Sequence, residues 1–214
     1  MTTPLAVLVN GLPGAGKTTL ARALARDLGL PLFSKDVIKE AHAEVLGTVR
    51  EGWPQRRWNA AIGAAASETM WALLADAPAG AVVESTWPAD RRHFVVQGLS
   101  RAGQPALLEI WCEVPLETAR RRYEARHPRH AIHGELLSDE EWRQWRRTAR
   151  PLELGPVRHV DTTQPVDTTA IAAWIRDQPR RPFGHSGASV TMDEPNAVLA
   201  RGAIRDDRRP RPGT

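Results

Sequence analysis

The sequence predicts an α/β fold, a mostly parallel sheet sandwiched between helices, and three observations carry that expectation. Strand signals recur at residues 31–33, 81–83, 106–112 and 157–160, and the first, at 5–9, is a short apolar run without polar alternation. Such runs are the signature of strands covered on both faces. Segments with apolar residues at helical spacing separate them, and strands alternating with helices imply parallel pairing. The first run also passes straight into a glycine-rich turn that opens a helix.

Each element has its own warrant. After the strand at 5–9, residues 19–28 place Leu20, Leu24 and Leu28 on one helix face with Ala21 and Ala25 beside them. Gly29 supplies the stop. A second strand at 31–33 precedes a helix at 35–46, then a long alanine-rich helix at 55–76 with Ile62, Met70, Leu73 and Leu74 as its expected core. The strand at 81–83, a helix at 89–102 and the strand at 106–112 follow. Pro115 stands where proline opens a helix, here running to about residue 126. A stretch rich in Arg, His and Pro at 127–137 leads to a helix at 138–147, where Ser138 and Glu141 have capping-box spacing. A strand at 157–160 and a helix at 167–176 complete the series, with no internal repeats.

The chain of 214 residues can bury one substantial domain, expected at 1–177. Beyond it, residues 178–214 hold five prolines, four glycines and the run RDDRRPRPGT, the composition of a disordered tail. That tail carries seven arginines against four acids, +3 of the formal net charge of +4, so the body is close to neutral. A near-neutral body argues against a nucleic-acid partner, since phosphate-tracking proteins carry basic grooves. The one cysteine, Cys112, excludes an internal disulfide and suits a reducing cytosol. The first strand begins by Leu5 without a basic flank, and no apolar segment reaches membrane length, so a cytoplasmic protein without membrane span is expected.

Residues 11–18, GLPGAGKT, fit G-x-x-x-x-G-K-[ST] with a strand before and a helix after. In such a loop, here Gly11 through Pro13, Gly14, Ala15 and Gly16, the glycines let backbone N–H groups curl around phosphate oxygens without Cβ atoms in the way. The helix that starts near Lys17, Thr18 and Thr19 adds its positive dipole end. Lys17 can reach the β- and γ-phosphates of ATP, and the Thr18 hydroxyl can ligate Mg²⁺. Several classes with this loop are excluded by the rest of the text. A GTPase reads guanine through N-K-x-D, and no lysine follows Lys39. The stretch LSRAGQ at 99–104 only echoes a transporter-ATPase signature, because Pro105 and a strand follow it where that signature opens a helix. An AAA+ motor needs a helical lid domain after the sheet. A small single-domain kinase remains.

At this point the chain resembles a family. The stretches VLVNGLPGAGKTTLARALA, LFSKDVIKE, AVVESTWPADRRHF and EIWCEVPLETARRRYEARHP follow the order found in small P-loop kinases, the type that includes chloramphenicol phosphotransferase and the zeta-toxin and polynucleotide-kinase groups. The resemblance covers about residues 4–177. It implies a P-loop NTPase three-layer sandwich with a five-stranded sheet in order 2-3-1-4-5 and a small arginine-bearing lid, about 127–137. It also implies ATP- and Mg²⁺-dependent phosphorylation of a hydroxyl that differs among members.

The resemblance places the family's catalytic Asp at Asp36, at the carboxyl end of the second strand where open α/β sheets bind ligands. An acid in a first helical turn, with Ser34 as N-cap, is equally favoured for helix stability. Glu84 ends the third strand; it can hold a magnesium water or be a strand-end acid beside Ser85 and Thr86, and the usual residue there is Asp. Arg120, Arg122, Arg126 and Arg129 precede or enter the lid, and guanidinium groups clamp transferring phosphoryl oxygens well. Arg122 and Arg126, four residues apart, fit the family's lid arginines best, against the alternative of a solvated arginine face. Thr162 lies where the family's chain passes the adenine. Trp53, Trp58 and Trp87 can stack on an acceptor ring or pack internally. His127, His130 and His133 lack the carboxylate or cysteine that would complete a metal set and suit lid polarity or acceptor contact. The expectation is therefore a kinase for a small-molecule hydroxyl, using ATP and Mg²⁺, with Lys17, Asp36, Arg122 and Arg126 as its catalytic groups. A polynucleotide 5′-hydroxyl kinase and an NTP-binding regulatory ATPase are the rivals, and a homodimer is left open.

Overall fold

The computed structural model describes residues 3–127, 130–134 and 136–184. Five parallel strands, β1 (Leu5–Gly11), β2 (Leu32–Ser34), β3 (Gly80–Glu84), β4 (Ala106–Glu113) and β5 (Val157–Asp161), form one sheet in the order β2-β3-β1-β4-β5. Seven helices connect or flank them: α1 (Lys17–Leu28), α2 (Lys35–Leu46), α3 (Gln55–Ala75), α4 (Arg92–Arg101), α5 (Leu116–Glu124), α6 (Asp139–Thr148) and α7 (Thr168–Asp177). This is the α/β three-layer arrangement expected from sequence, with the expected strand order.

Strand geometry divides the core. Successive side chains of β1 point to opposite faces. Leu5, Val7 and Val9 join Leu20, Leu24, Ile171 and Ile175 on the side of α1 and α7. Ala6 and Leu8 join Met70, Trp71, Leu74, Val95 and Leu99 on the side of α3 and α4. β1 is buried at all seven positions, which is why it reads as an unbroken apolar run.

Three boundaries or core assignments differ from the sequence expectation. The segment expected as one helix at 89–102 is a short 3-10 turn, Ala89–Arg91, followed by α4; Arg91, at φ −112° and ψ 19°, interrupts the helical run. In α3 the buried stripe is Trp58, Ile62, Ala66, Met70 and Leu74, with Trp71 beside it, while Leu73 is 42 % exposed. Four-residue steps keep a stripe on one face of a 3.6-residue helix, and Leu73 lies off it. Trp71 crosses α4 where Gly98 has no side chain; a Cβ there would lie 2.3 Å from the indole. Finally, residues 178–184, placed in the tail by composition, return to the sheet: Pro182 bridges Ala106, and the Phe183 N–H donates to the Pro105 carbonyl at 3.1 Å. Phe183 packs on the α3–α4 side of the core. The rest of the expected tail lies outside the described residues.

A third, smaller cluster sits away from the sheet. Ala43 of α2 and Trp58 and Ile62 of α3 enclose Ile132, which is wholly buried. Ile132 belongs to the 3-10 turn Ala131–His133 inside the expected lid. The polar stretch therefore hides one buried apolar anchor among its histidines. α6 then begins at the expected capping box, with the Ser138 side chain accepting from the Glu141 N–H and the Glu141 carboxylate accepting from the Ser138 N–H.

Candidate active site

The carboxyl ends of β1 and β3, the start of α1, the start of α2 and the end of α5 converge on one cavity of about 240 Å³. β1 runs into the loop of residues 12–16, which is tight: the Ala15 N–H donates to the Leu12 carbonyl at 3.0 Å. Gly14, at φ +85°, lies so close to α5 that a Cβ would fall 2.1 Å from the Ala119 carbonyl oxygen. No other residue type fits both that backbone and that contact. Gly16, also left-handed, is the N-cap of α1.

Lys17 is buried, and its Nζ donates to the Leu12 carbonyl at 2.9 Å across the loop. Burial pushes its ammonium below the ordinary lysine range, opposed by Glu84, Cys112 and Asp36 nearby. A desolvated cation held beneath a ring of backbone is primed for an anion. Cys112, close behind it, is itself no nucleophile: burial pushes its thiol up to about 12.

Pro13, Gly14, Gly16, Lys17, Thr18, Asp36, Glu84 and Arg126 all line this cavity. They are most of the set singled out from sequence. Glu84 is almost fully buried and accepts from the Ser34 hydroxyl at 2.5 Å. Ser34 therefore occupies the N-cap position of α2 without capping it, because its hydroxyl is turned to β3. Asp36, in the first turn of α2, is left as the acid complementing that helix end as well as a wall of the cavity.

Thr19, Arg122 and Thr162 line a second cavity of about 750 Å³ on the other side of the loop. Arg122 donates from Nη1 to the Thr162 carbonyl at 3.0 Å, tying α5 to the chain after β5. Arg126, whose Nε donates to the Arg122 carbonyl at 3.1 Å, lines both cavities, as do Gly14 and Gly16. Arg120 faces elsewhere, bonded to Glu124 and Asp139 at 2.7 Å each. Arg129 lies outside the described residues. Gly11 ends β1 opposite Cys112, and the Ala15 methyl is in the apolar core. Neither Gly11 nor Ala15 lines either cavity.

Sequence reasoning missed several residues here. Tyr123 lines the first cavity with Thr86, Leu137 and Trp145, and so does His133, which was expected to serve lid polarity or acceptor contact. Tyr123, on α5, lies between Arg122 and Arg126 in the chain, and its ring meets Trp142 edge-on at 5.7 Å. Asn10 and Glu109 are also new. Asn10 accepts from the Gly11 and Trp87 N–H groups at 2.8 and 3.0 Å and donates to the Trp87 carbonyl and to Glu109. Glu109 in turn accepts from the Leu152 and Glu153 N–H groups. Burial pushes the Glu109 carboxyl above its ordinary range, with those hydrogen bonds opposing. The signal was present: a lone Asn and a lone Glu inside strands buried on both faces must have partners.

Two of the three histidines of the expected lid find carboxylates on α2. His130 meets Glu44 at 2.7 Å and His133 meets Glu40 at 2.6 Å. Lys39 donates to the Ile132 carbonyl at 3.3 Å. Of the tryptophans, Trp58 is core, Trp53 packs edge-on against it, and Trp87 stacks on Trp71 at 6.2 Å and 25°.

The donor set facing the first cavity, a threonine hydroxyl with the carboxylates Glu84 and Asp36, consists of hard oxygens, which suit Mg²⁺ and not zinc or copper. Among the described residues no group of three or more His, Cys, Asp or Glu is arranged to hold a metal alone. Among the described residues no helix is long and apolar enough to cross a membrane.

Comparison with known proteins agrees with this geometry. A family model described as an AAA domain matches residues 7–152. A crystal structure of a candidate kinase from Chloroflexus aurantiacus superposes with a TM-score of 0.68 at 30 % identity, covering 81 % of this chain and 97 % of that one. A cytidylate kinase from Pyrobaculum aerophilum is 49 % identical over 41 residues, 19 % of this chain. A shikimate kinase from Rhodococcus jostii is 60 % identical over 40 residues, again 19 % of this chain. The chain spans only 22 % and 23 % of the lengths of those two relatives.

Proposed function

The chain belongs to the AAA domain family of P-loop proteins, and we propose that it is a kinase passing the γ-phosphate of ATP to a hydroxyl of a small molecule. The observation that carries this reading is the single cavity where Lys17, Thr18, Glu84, Asp36 and Arg126 meet. The phosphate-loop side supplies cations and N–H donors; Asp36 opens onto a further cavity on its other side, large enough for an acceptor.

In this reading the nucleoside lies toward Arg122 and Thr162, and the β- and γ-phosphates lie over the loop beside Lys17. Thr18 and Glu84 would hold Mg²⁺ through oxygen and water. When bound, the ion neutralises charge on the β- and γ-oxygens. Asp36 accepts the acceptor's hydroxyl proton as that oxygen attacks the γ-phosphorus. The bond to the β–γ bridging oxygen breaks and ADP leaves. Arg126 stabilises charge on the transferring group. A single, deeply buried cysteine suits action in the reducing cytoplasm.

The test is a panel of hydroxylated small molecules incubated with ATP and Mg²⁺, read by mass for the gain of one phosphate. At least one acceptor should be phosphorylated by the wild type and none by Lys17→Ala. Phosphate appearing only on a 5′-hydroxyl oligonucleotide would favour a polynucleotide kinase. Tight ATP binding yielding no phosphorylated acceptor would favour a regulatory ATPase.

A further inference from the structure

A cavity of about 450 Å³ lies on the far side of Asp36, between α2, α3 and the chain after β3. Asp36 and Thr86 line both this cavity and the phosphate-side one. Four cations face it: Lys35, Lys39, Arg91 and Arg101. Two of them are occupied. Arg101 binds Glu68 at 2.8 Å, and Lys39 donates to the Ile132 carbonyl. Among the described residues, the side chains of Lys35 and Arg91 make no hydrogen bond or ion pair.

These two cations are also close enough to feel each other. Burial pushes the Lys35 ammonium down, Asp36 pulls it back, and Arg91 adds to the depression. Like charges repel, and the carboxylates nearby relieve Lys35 only in part: Asp36 and Glu84 favour its charge, while Glu68 is engaged by Arg101. Neither cation sits there by chance of a floppy chain. Lys35 opens α2 immediately after β2, and Arg91 ends the 3-10 turn that follows Pro88. Lining the same cavity, Trp87 is held by Asn10 and stacked on Trp71, while Phe94 is 54 % exposed.

We propose that Lys35 and Arg91 form a subsite for an anionic group of the acceptor. The acceptor is then a small hydroxylated acid, a carboxylate or a phosphate ester, with its carbon frame against Trp87 and Phe94. Lys35 supplies a point charge and Arg91 a planar fork for two oxygens. Because Lys35 adjoins Asp36 in the chain, the anion is anchored while the hydroxyl meets the base. The hydroxyl's fate rests on the kinase reading; the anion subsite stands on charge and shape alone.

The experiment titrates the full chain with matched pairs of ligands by calorimetry. One series pairs hydroxy-carboxylates with their primary amides, and the other pairs sugar phosphates with the free sugars. In at least one series the acid should bind about tenfold or more tighter than its neutral partner. Lys35→Gln and Arg91→Gln should each remove most of that preference while leaving ATP affinity and melting temperature near wild type. Lys35→Arg should retain it, which separates lost charge from disturbed packing. Preference in only one series identifies the anion as carboxylate or phosphate, and either supports the subsite. The proposal is overturned if no acid binds better than its neutral partner, or if the double Gln variant keeps the wild-type preference. Acids that bind selectively yet are never phosphorylated would sink the kinase reading and leave the subsite standing. A neutral alcohol phosphorylated as fast as any acid would do the reverse.

Discussion

Lys17 carries two burdens that separate cleanly by mutation. Its ammonium is desolvated in the folded protein, so its folded pKa lies below the unfolded value. Below both values the buried charge opposes folding; as pH rises through the depressed value toward the ordinary 10.5, the folded state loses its proton first and stability rises. Lys17→Met should therefore fold at least as well as the wild type at neutral pH and flatten that alkaline rise, while abolishing phosphate transfer. Equilibrium unfolding across pH 7–10 checks the first part, and a loss of stability at pH 7 would contradict it. The two readings of Asp36 are separated by Asp36→Asn, which keeps shape and local hydrogen bonding but removes the proposed base. A rate loss on the order of 10²–10⁴ with an unchanged melting temperature is expected. Lost stability with near-normal turnover would make it only a helix-end acid.

At the scale of elements, the two segments least legible in the sequence are those that dock by one apolar residue. Ile132, flanked by His130 and His133, is buried between α2 and α3. Ile132→Ala should cost about 2 kcal/mol, the low end for a buried isoleucine because a turn relaxes more readily than a sheet. It should also make residues 127–137 more open to protease. Unchanged stability and digestion would show that the turn contributes nothing to holding this segment. Phe183 closes the sheet edge beside Ala106 in the same way, and Phe183→Ala should lower unfolding free energy by about 1–2 kcal/mol. An unaltered unfolding midpoint would mean the segment is dispensable. Both residues escaped sequence reading for one reason: periodicity needs several apolar residues per face, and a single anchor has no period. β1 and β3 were legible because burial on both faces leaves a continuous apolar signal, and α1 because its leucines recur at helical spacing. Trp58, Ala66 and Trp71 displaced Leu73 from the core of α3 because an alanine-rich helix says little about which side is inward.

For the whole molecule, the phosphate loop was readable because its chemistry requires a fixed local spacing. The Asn10–Glu109–Trp87 network was not, because its members are 77 and 99 residues apart and meet only when β1, β3 and β4 pair. The same pairing gives the site its layout. Two cavities lie on the carboxyl side of the sheet around the loop, with Arg126 lining both, and a third shares Asp36 with the first. The layout predicts that phosphate is delivered to an acceptor and withheld from water. The most direct measurement follows ADP and phosphorylated acceptor together in one steady-state assay, with and without the acceptor found by the mass screen. ADP release should be slow alone and rise with acceptor in step with product, and Arg126→Ala should depress the stimulated rate more than ATP binding. ADP release at one unvarying rate, whatever acceptor is offered to a folded, ATP-binding protein, would contradict the account.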